Sequence, residues 1–382
     1  MIFVKTGIAG LLALGFSINV TSMAVAGEAS ETPWNLFHGA PKIKDDHGNY
    51  WKLRGRVFWD LANINETHTG AAERSFTHDE FRAARLGVEG VYEKLKFKAE
   101  LDFSGGKTNF KDVNLTWKGP VVITAGQMKA GGSMEEITSS RHIAFMERGM
   151  ATDGLGFDRR LGIKIAKSWD NYGISAGAYG NSIDGAREGK STNTVLAARG
   201  YYAPIFEKGN VVHLGASVRH TNRARGGPKH SARWGLHQAT EKAKPNVGDD
   251  ALLFGLEIAM IKGPFHAHGE YLSENGDLGT AKGGFMQVGY FLTGENRKYK
   301  GGKFDRTKPA KPLSKGGYGA LEVGARFDTF DARDAGDEKV DAYTLGLTWY
   351  PESHLRVKLN YIDANGDTFD ANGLQMRLQM DW

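Results

Sequence analysis

The chain of 382 residues contains no cysteine, which excludes a disulfide framework and any thiolate metal site. Long apolar runs are nearly as scarce. The first segment holds one: Lys5 precedes the run Ile8 to Phe16, and Ala24, Val25 and Ala26 form a small-residue cleavage pattern. Residues 1–26 therefore read as a secretory signal peptide, with the mature chain starting near Gly27. A membrane-anchoring helix fits less well, because the stretch is short for a span and no second apolar run follows. No later segment approaches the ~20 apolar residues of a transmembrane helix, so any crossing must be made by strands closed into a barrel. Also missing are a P-loop, a dinucleotide fingerprint and a nucleophile elbow around Ser139, Ser140 and His142. No enzyme activity and no cofactor are expected. The net charge of +5 is only mildly basic; it calls for no nucleic-acid partner, and where the charge sits matters more than its total.

What is present is alternation. From Lys94 to Phe103 the chain places Leu95, Phe97, Ala99, Leu101 and Phe103 on one face of a strand and Lys94, Lys96, Lys98, Glu100 and Asp102 on the other. Turned over, the strand would present its lysines to lipid at about 2 to 4 kcal/mol each near the midplane, so the charges must face inward. The same rhythm recurs along nearly the whole chain. After a polar leader over residues 27–49, strands are expected at 50–63, 81–92, 94–103, 109–118 and 121–129. Further strands fit 159–168, 172–183, 192–203, 210–220, 251–262, 265–273, 282–293, 317–331, 339–350, 354–363 and 372–382. Sixteen is an even number, as antiparallel closure requires. The fold class is thus all-β, a 16-stranded antiparallel transmembrane barrel over residues 50–382, greasy outside and wet within. Loops at 64–80, 131–158 and 221–249 are long, whereas the turns at 169–171, 263–264 and 351–353 are short. The loop at 294–315 is long but falls by count on the short-turn side.

Particular residues resemble a family. Gly126-Gln127-Met128-Lys129, then Glu135 to Arg141 and Phe145-Met146-Glu147-Arg148, resemble the third-loop region of the phosphate-selective porin O and P family. Lys52 to Arg56, Gly294 to Arg297, and Gly316 to Glu322 with Arg326 are similar too. The resemblance implies a trimeric outer-membrane channel narrowed by inward-folding loops, here 131–158, 221–249 and 294–315. It also implies arginines in the vestibule, lysines toward the periplasm and a central basic constriction for phosphate or polyphosphate.

The residues themselves point to anions. Between Lys208 and Thr240 there is no acid, and Arg219, Arg223 and Arg225 continue an inward row into a loop. Guanidinium groups match phosphate oxygens bidentately. Lys300, Lys303 and Lys308 belong to a second basic cluster, where mobile point charges suit release of an ion. Arg54, Arg56 and Arg85 face inward by strand parity, Arg141 lies in the third loop, and Lys129 stands before it with a parity that cannot be read. The opposing reading of both clusters is a solvated run of charge. His266 and His268 share a face but lack a third ligand for a metal. Asp363, Asn365 and Asp367 stop short of a calcium loop, since Thr368 stands where glycine is needed. The expected partners are small anions such as phosphate, the outer-membrane lipid and lipopolysaccharide around the barrel, and two further copies in a homotrimer; the alternative is a general, weakly anion-selective porin.

Overall fold

The computed structural model describes residues 40–185, 194–222 and 230–382. The expected signal peptide and the first part of the leader lie outside these. The strands are β1 (Tyr50–His68), β2 (Arg74–Tyr92), β3 (Leu95–Asp102), β4 (Asn109–Lys118), β5 (Val122–Lys129), β6 (Arg159–Ser168), β7 (Tyr172–Tyr179) and β8 (Thr194–Glu207). They continue with β9 (Asn210–Asn222), β10 (Asp250–Lys262), β11 (Phe265–Gly276), β12 (Gly279–Phe291), β13 (Ala320–Asp331), β14 (Lys339–Glu352), β15 (Leu355–Gly366) and β16 (Phe369–Asp381). Each pairs antiparallel with the next, and β16 pairs with β1 from Phe369↔His68 to Asp381↔Arg56, so the sixteen strands close on themselves. Within the leader, Lys42–Lys44 adds a short strand to β1.

Side-chain alternation forms these strands, and β10 displays it most plainly. Leu252, Phe254, Leu256, Ile258 and Met260 are exposed on the outside while Leu253, Glu257, Ala259 and Ile261 are buried inside. Hydrogen bonding is complete only because the edge is abolished by closure. The loop expected over 64–80 is shorter than read, because β1 continues to His68 and β2 begins at Arg74. Asn63, Asn65 and Thr67 are polar where lipid-facing residues should be, which hides the pattern, but Ile64↔Phe76 and Asn65↔Ser75 remain paired.

The long connections 130–158 and 223–249 leave one end of the barrel, and 292–319 leaves the other, among turns such as 93–94 and 263–264. The connection after β5 carries two short helices, α1 (Met134–Ile137) and α2 (Met150–Leu155). The interior departs from the expected water-filled bore. Met150, Ala151 and Leu155 pack with Trp234 and Leu236 of the 223–249 connection against inward-facing Ala62, Ile64, Leu253, Phe330, Val340, Ala342 and Ile362. One side of the lumen is therefore dry, because its inward positions near the long-loop end are alanine and branched aliphatics.

Candidate functional site

What remains open is a cavity of about 840 Å³ against the inner faces of β1 to β6, roofed by the 130–158 loop and reached from the opposite end by Lys303 to Asp305. Among the described residues, fourteen lysines and arginines line it against eight aspartates and glutamates. Arg54 donates from Nη1 to Glu89 Oε2 at 2.6 Å, and Arg85 donates from Nε to Asp102 Oδ2 at 2.7 Å. Glu100, 2% exposed, serves Arg54, Arg56 and Arg85 at 3.5, 3.5 and 3.3 Å. Arg56 also donates from Nη1 to Ser140 Oγ at 2.9 Å, tying the wall to the loop. Asp112 plays a similar part, bonded to Lys98 and accepting from Arg159 Nε at 2.7 Å. Glu100 and Asp102 back their cations from the wall, whereas Glu89 and Asp112 line the cavity beside theirs.

The loop is sorted by charge before it can serve as a roof. Carboxylates of β10, β11 and β13 take its N–H groups: Met134 donates to Glu257 Oε2 at 2.7 Å, Glu135 to Glu270 Oε1 at 2.6 Å and Met150 to Asp328 Oδ1 at 3.0 Å. Cations of β13, β15 and β16 take its carbonyls: Lys358 Nζ donates to Ile143 O at 2.8 Å and Phe145 O at 2.9 Å, Arg377 Nη1 to Met146 O at 2.6 Å and Arg326 Nη1 to Glu147 O at 2.9 Å. Ser133 caps α1 by accepting from Glu136 N at 3.2 Å. Glu147 is anchored by Arg82 through two bonds of 2.9 Å. Burial works against its charge, but Arg82 and Arg377 outweigh that and hold its carboxyl well below the usual range. His142 is pushed the other way for a base, far below its ordinary value, by burial and then by Arg356 and Arg141. Its Nδ1 accepts from Arg356 Nη2 at 3.3 Å, which assigns the proton of the neutral ring to Nε2.

The structure brings many of the expected residues together. Arg54, Arg56, Arg85, Lys129, Arg141 and Lys303 all line the cavity. Lys129 bonds Glu136 O, and Arg141 Nη1 donates to Asp381 Oδ2 at 3.2 Å. The parity of β5 was unreadable because Gly126 has φ 115° and a Cβ there would sit 2.8 Å from Asn114 Cα; Gln127 and Met128 are then both buried. Arg219 does point inward, yet it does not line the cavity. It lies 3.7 Å over the Phe157 ring and donates from Nη2 to Leu155 O at 2.7 Å and to Glu274 Oε1 at 3.2 Å, holding the C-terminal end of α2. Arg223 and Arg225 lie outside the described residues. Lys300 and Lys308 are exposed and absent from the lining, so the second basic cluster contributes Lys303 alone. The hairpin of Lys298–Tyr299 and Phe304–Asp305 carries it inward, with Phe304 N donating to Thr138 Oγ1 at 3.3 Å.

Sequence parity missed Arg82 and Lys111. Both sit at bulges, where the register shifts between Phe58 and Trp59 of β1 and between Ala99 and Leu101 of β3. A bulge inserts one residue and re-aims its neighbours, so the two-residue rhythm gives the wrong face. His266 and His268 share an inward face but bond Glu322 at 2.6 Å and Glu270 at 3.0 Å, respectively. Among the described residues no group of side chains is placed to hold a metal ion.

A closed sixteen-stranded barrel with an apolar belt, inward loops and a charged bore is an outer-membrane porin, a channel and not an enzyme. The profile of the phosphate-selective porin O and P family matches residues 51–382, and the chain belongs to that family. It is 28% identical to Porin O of Pseudomonas aeruginosa over 97% of each chain. It is 32% identical to an uncharacterized protein of Caulobacter vibrioides, across 91% of this chain and 75% of that one. Among solved structures, the anion-selective porin from Comamonas acidovorans has the same fold at 15% identity, with a TM-score of 0.53 over 87% of this chain and 100% of that one. OprB of Pseudomonas putida aligns at 8% identity with a TM-score of 0.57, over 86% of this chain and 94% of that one.

Proposed function

We propose that this outer-membrane channel passes small anions by diffusion, with phosphate or polyphosphate as the favoured solute. The observation that carries this reading is the surplus of cations among the described residues around the cavity, fourteen against eight. The family's description as phosphate-selective and that of the Comamonas porin as anion-selective support it. Residues 1–26 act as the export signal and the mature protein assembles as a homotrimer within lipid and lipopolysaccharide; Vibrio cholerae OmpT, a structural neighbour, is described in a trimer form. A second reading, a general porin of weak anion preference, is favoured by the carboxylates Glu100 and Asp112, which already offset part of the charge of the cations they touch. Planar-bilayer recording in a salt gradient, with phosphate titrated against chloride, separates the two. Chloride current blocked by phosphate supports the first; chloride current indifferent to phosphate supports the second; cation-selective current defeats both.

A further inference from the structure

The lipid-facing rows of the barrel end differently at its two ends. On β6 the outward row Leu161, Ile163, Ile165 ends in exposed Lys167, and on β10 the row Leu252 to Met260 ends in exposed Lys262. Exposed Lys94, Lys118 and Lys208 stand at the neighbouring turns of the same end, Lys94 in the turn before β3, which starts at Leu95, and so not on the inward face the alternation predicts for it. Exposed aromatics flank them: Tyr92, Trp117, Trp169, Tyr202 and Phe206. Lys167 Nζ lies 5.1 Å over the Trp169 ring, which itself stacks on Tyr172 at 4.4 Å. The acids in these turns are Glu93, Asp170 and Glu207, fewer than the lysines. At the opposite end the outward rows of β10, β13, β15 and β16 reach acids, at Asp250, Asp331, Asp363 and Asp370, while those of β12 and β14 reach Lys282 and Lys339 beside Asp331.

Short turns mark the periplasmic end of an outer-membrane barrel and long loops the external end. The lysine end therefore meets the inner leaflet. A lysine at the end of an apolar row can lay its stem along the barrel and keep its ammonium at headgroup depth, where aromatic rings also settle. A ring of such ammonium groups complements a headgroup of net negative charge and gains less from a zwitterionic one, whose phosphate is balanced by its own cation. We propose that Lys94, Lys118, Lys167, Lys208 and Lys262 form a contact ring for anionic phospholipid headgroups, of the phosphatidylglycerol class, in the periplasmic leaflet. The ring fixes the depth of the barrel in the membrane.

Trp51, Trp117, Trp169 and Trp349 lie near this end and report the lipids beside them. The test is fluorescence quenching of the full chain in phosphatidylcholine vesicles containing either brominated phosphatidylglycerol or brominated phosphatidylcholine at equal mole fraction. The wild-type barrel should favour the anionic lipid by roughly fivefold or more, the effect of one fully engaged lysine, and high salt should erase the preference. The variant with all five lysines changed to glutamine, and the milder Lys167→Gln/Lys262→Gln pair, should lose it in proportion while keeping heat-resistant migration of the folded barrel. Equal quenching by the two lipids in wild type overturns the proposal, as does a preference that survives in both variants.

Discussion

Glu100 illustrates how a single side chain sets the field of a pore. It is the common partner of Arg54, Arg56 and Arg85. Replacing it by glutamine removes one negative charge from the wall while keeping the shape. The reversal potential in a chloride gradient should then move toward stronger anion selectivity. Loss of one partner from a buried pair costs about 3 to 5 kcal/mol, so the thermal transition should fall as well; an unchanged reversal potential would mean that these arginines do not face the ion path. His142 makes a second case, with the sign worked out. Its folded pKa lies far below the ordinary value because burial and Arg356 keep it neutral, so the unfolded chain binds a proton that the folded chain refuses. Stability should therefore fall as pH drops below ~6.5, by up to about 1.4 kcal/mol per unit. His142→Gln should lessen that slope relative to wild type in urea titrations at pH 7 and pH 5, and identical slopes would rule the histidine out.

At the scale of an element, the 130–158 loop is the part that decides the bore. Its carbonyls at Ile143, Ala144 and Phe145 all accept from Lys358 Nζ, at 2.8, 3.2 and 2.9 Å. Lys358→Met keeps the volume and removes every one of these bonds, leaving buried acceptors unsatisfied at about 1 to 3 kcal/mol each. The loop should loosen, with larger and noisier single-channel steps and new proteolytic cleavage between residues 140 and 148. Quiet steps of wild-type size would show that other anchors, such as Arg377 to Met146 O at 2.6 Å, suffice.

Across the whole molecule, selectivity is a property of the summed charge in a narrow water-filled space. A field from surplus cations decays within a Debye length, ~10 Å at 0.1 M salt and ~3 Å at 1 M. Anion preference measured as a permeability ratio should accordingly shrink as salt rises. A ratio constant from 0.1 to 1 M would point to direct ion coordination at one constriction instead of a diffuse field.

The barrel itself was legible in the sequence because lipid imposes a strict rule on every strand. Rows such as Leu252 to Met260 read correctly, and sixteen segments emerged with the right order and inward faces for Arg54, Arg56 and Arg85. That rule weakens wherever the chain leaves lipid. It lost the upper parts of β1 and β2, where the outward face is polar, and it misassigned Arg82 and Lys111 at bulges that change the count by one. It also placed Arg219 on the inner face correctly but could not tell that α2 would cover it. Sequence alone determined the tube, its number of walls and the sign of its lining, since those follow from which side chains tolerate hydrocarbon. Only the tertiary structure decided where the open path runs, because three distant loops compete for one lumen and the winner depends on long-range packing such as Trp234 in one apolar cluster with Ile362 and on the Met134 N–H to Glu257 bond, which no local pattern encodes.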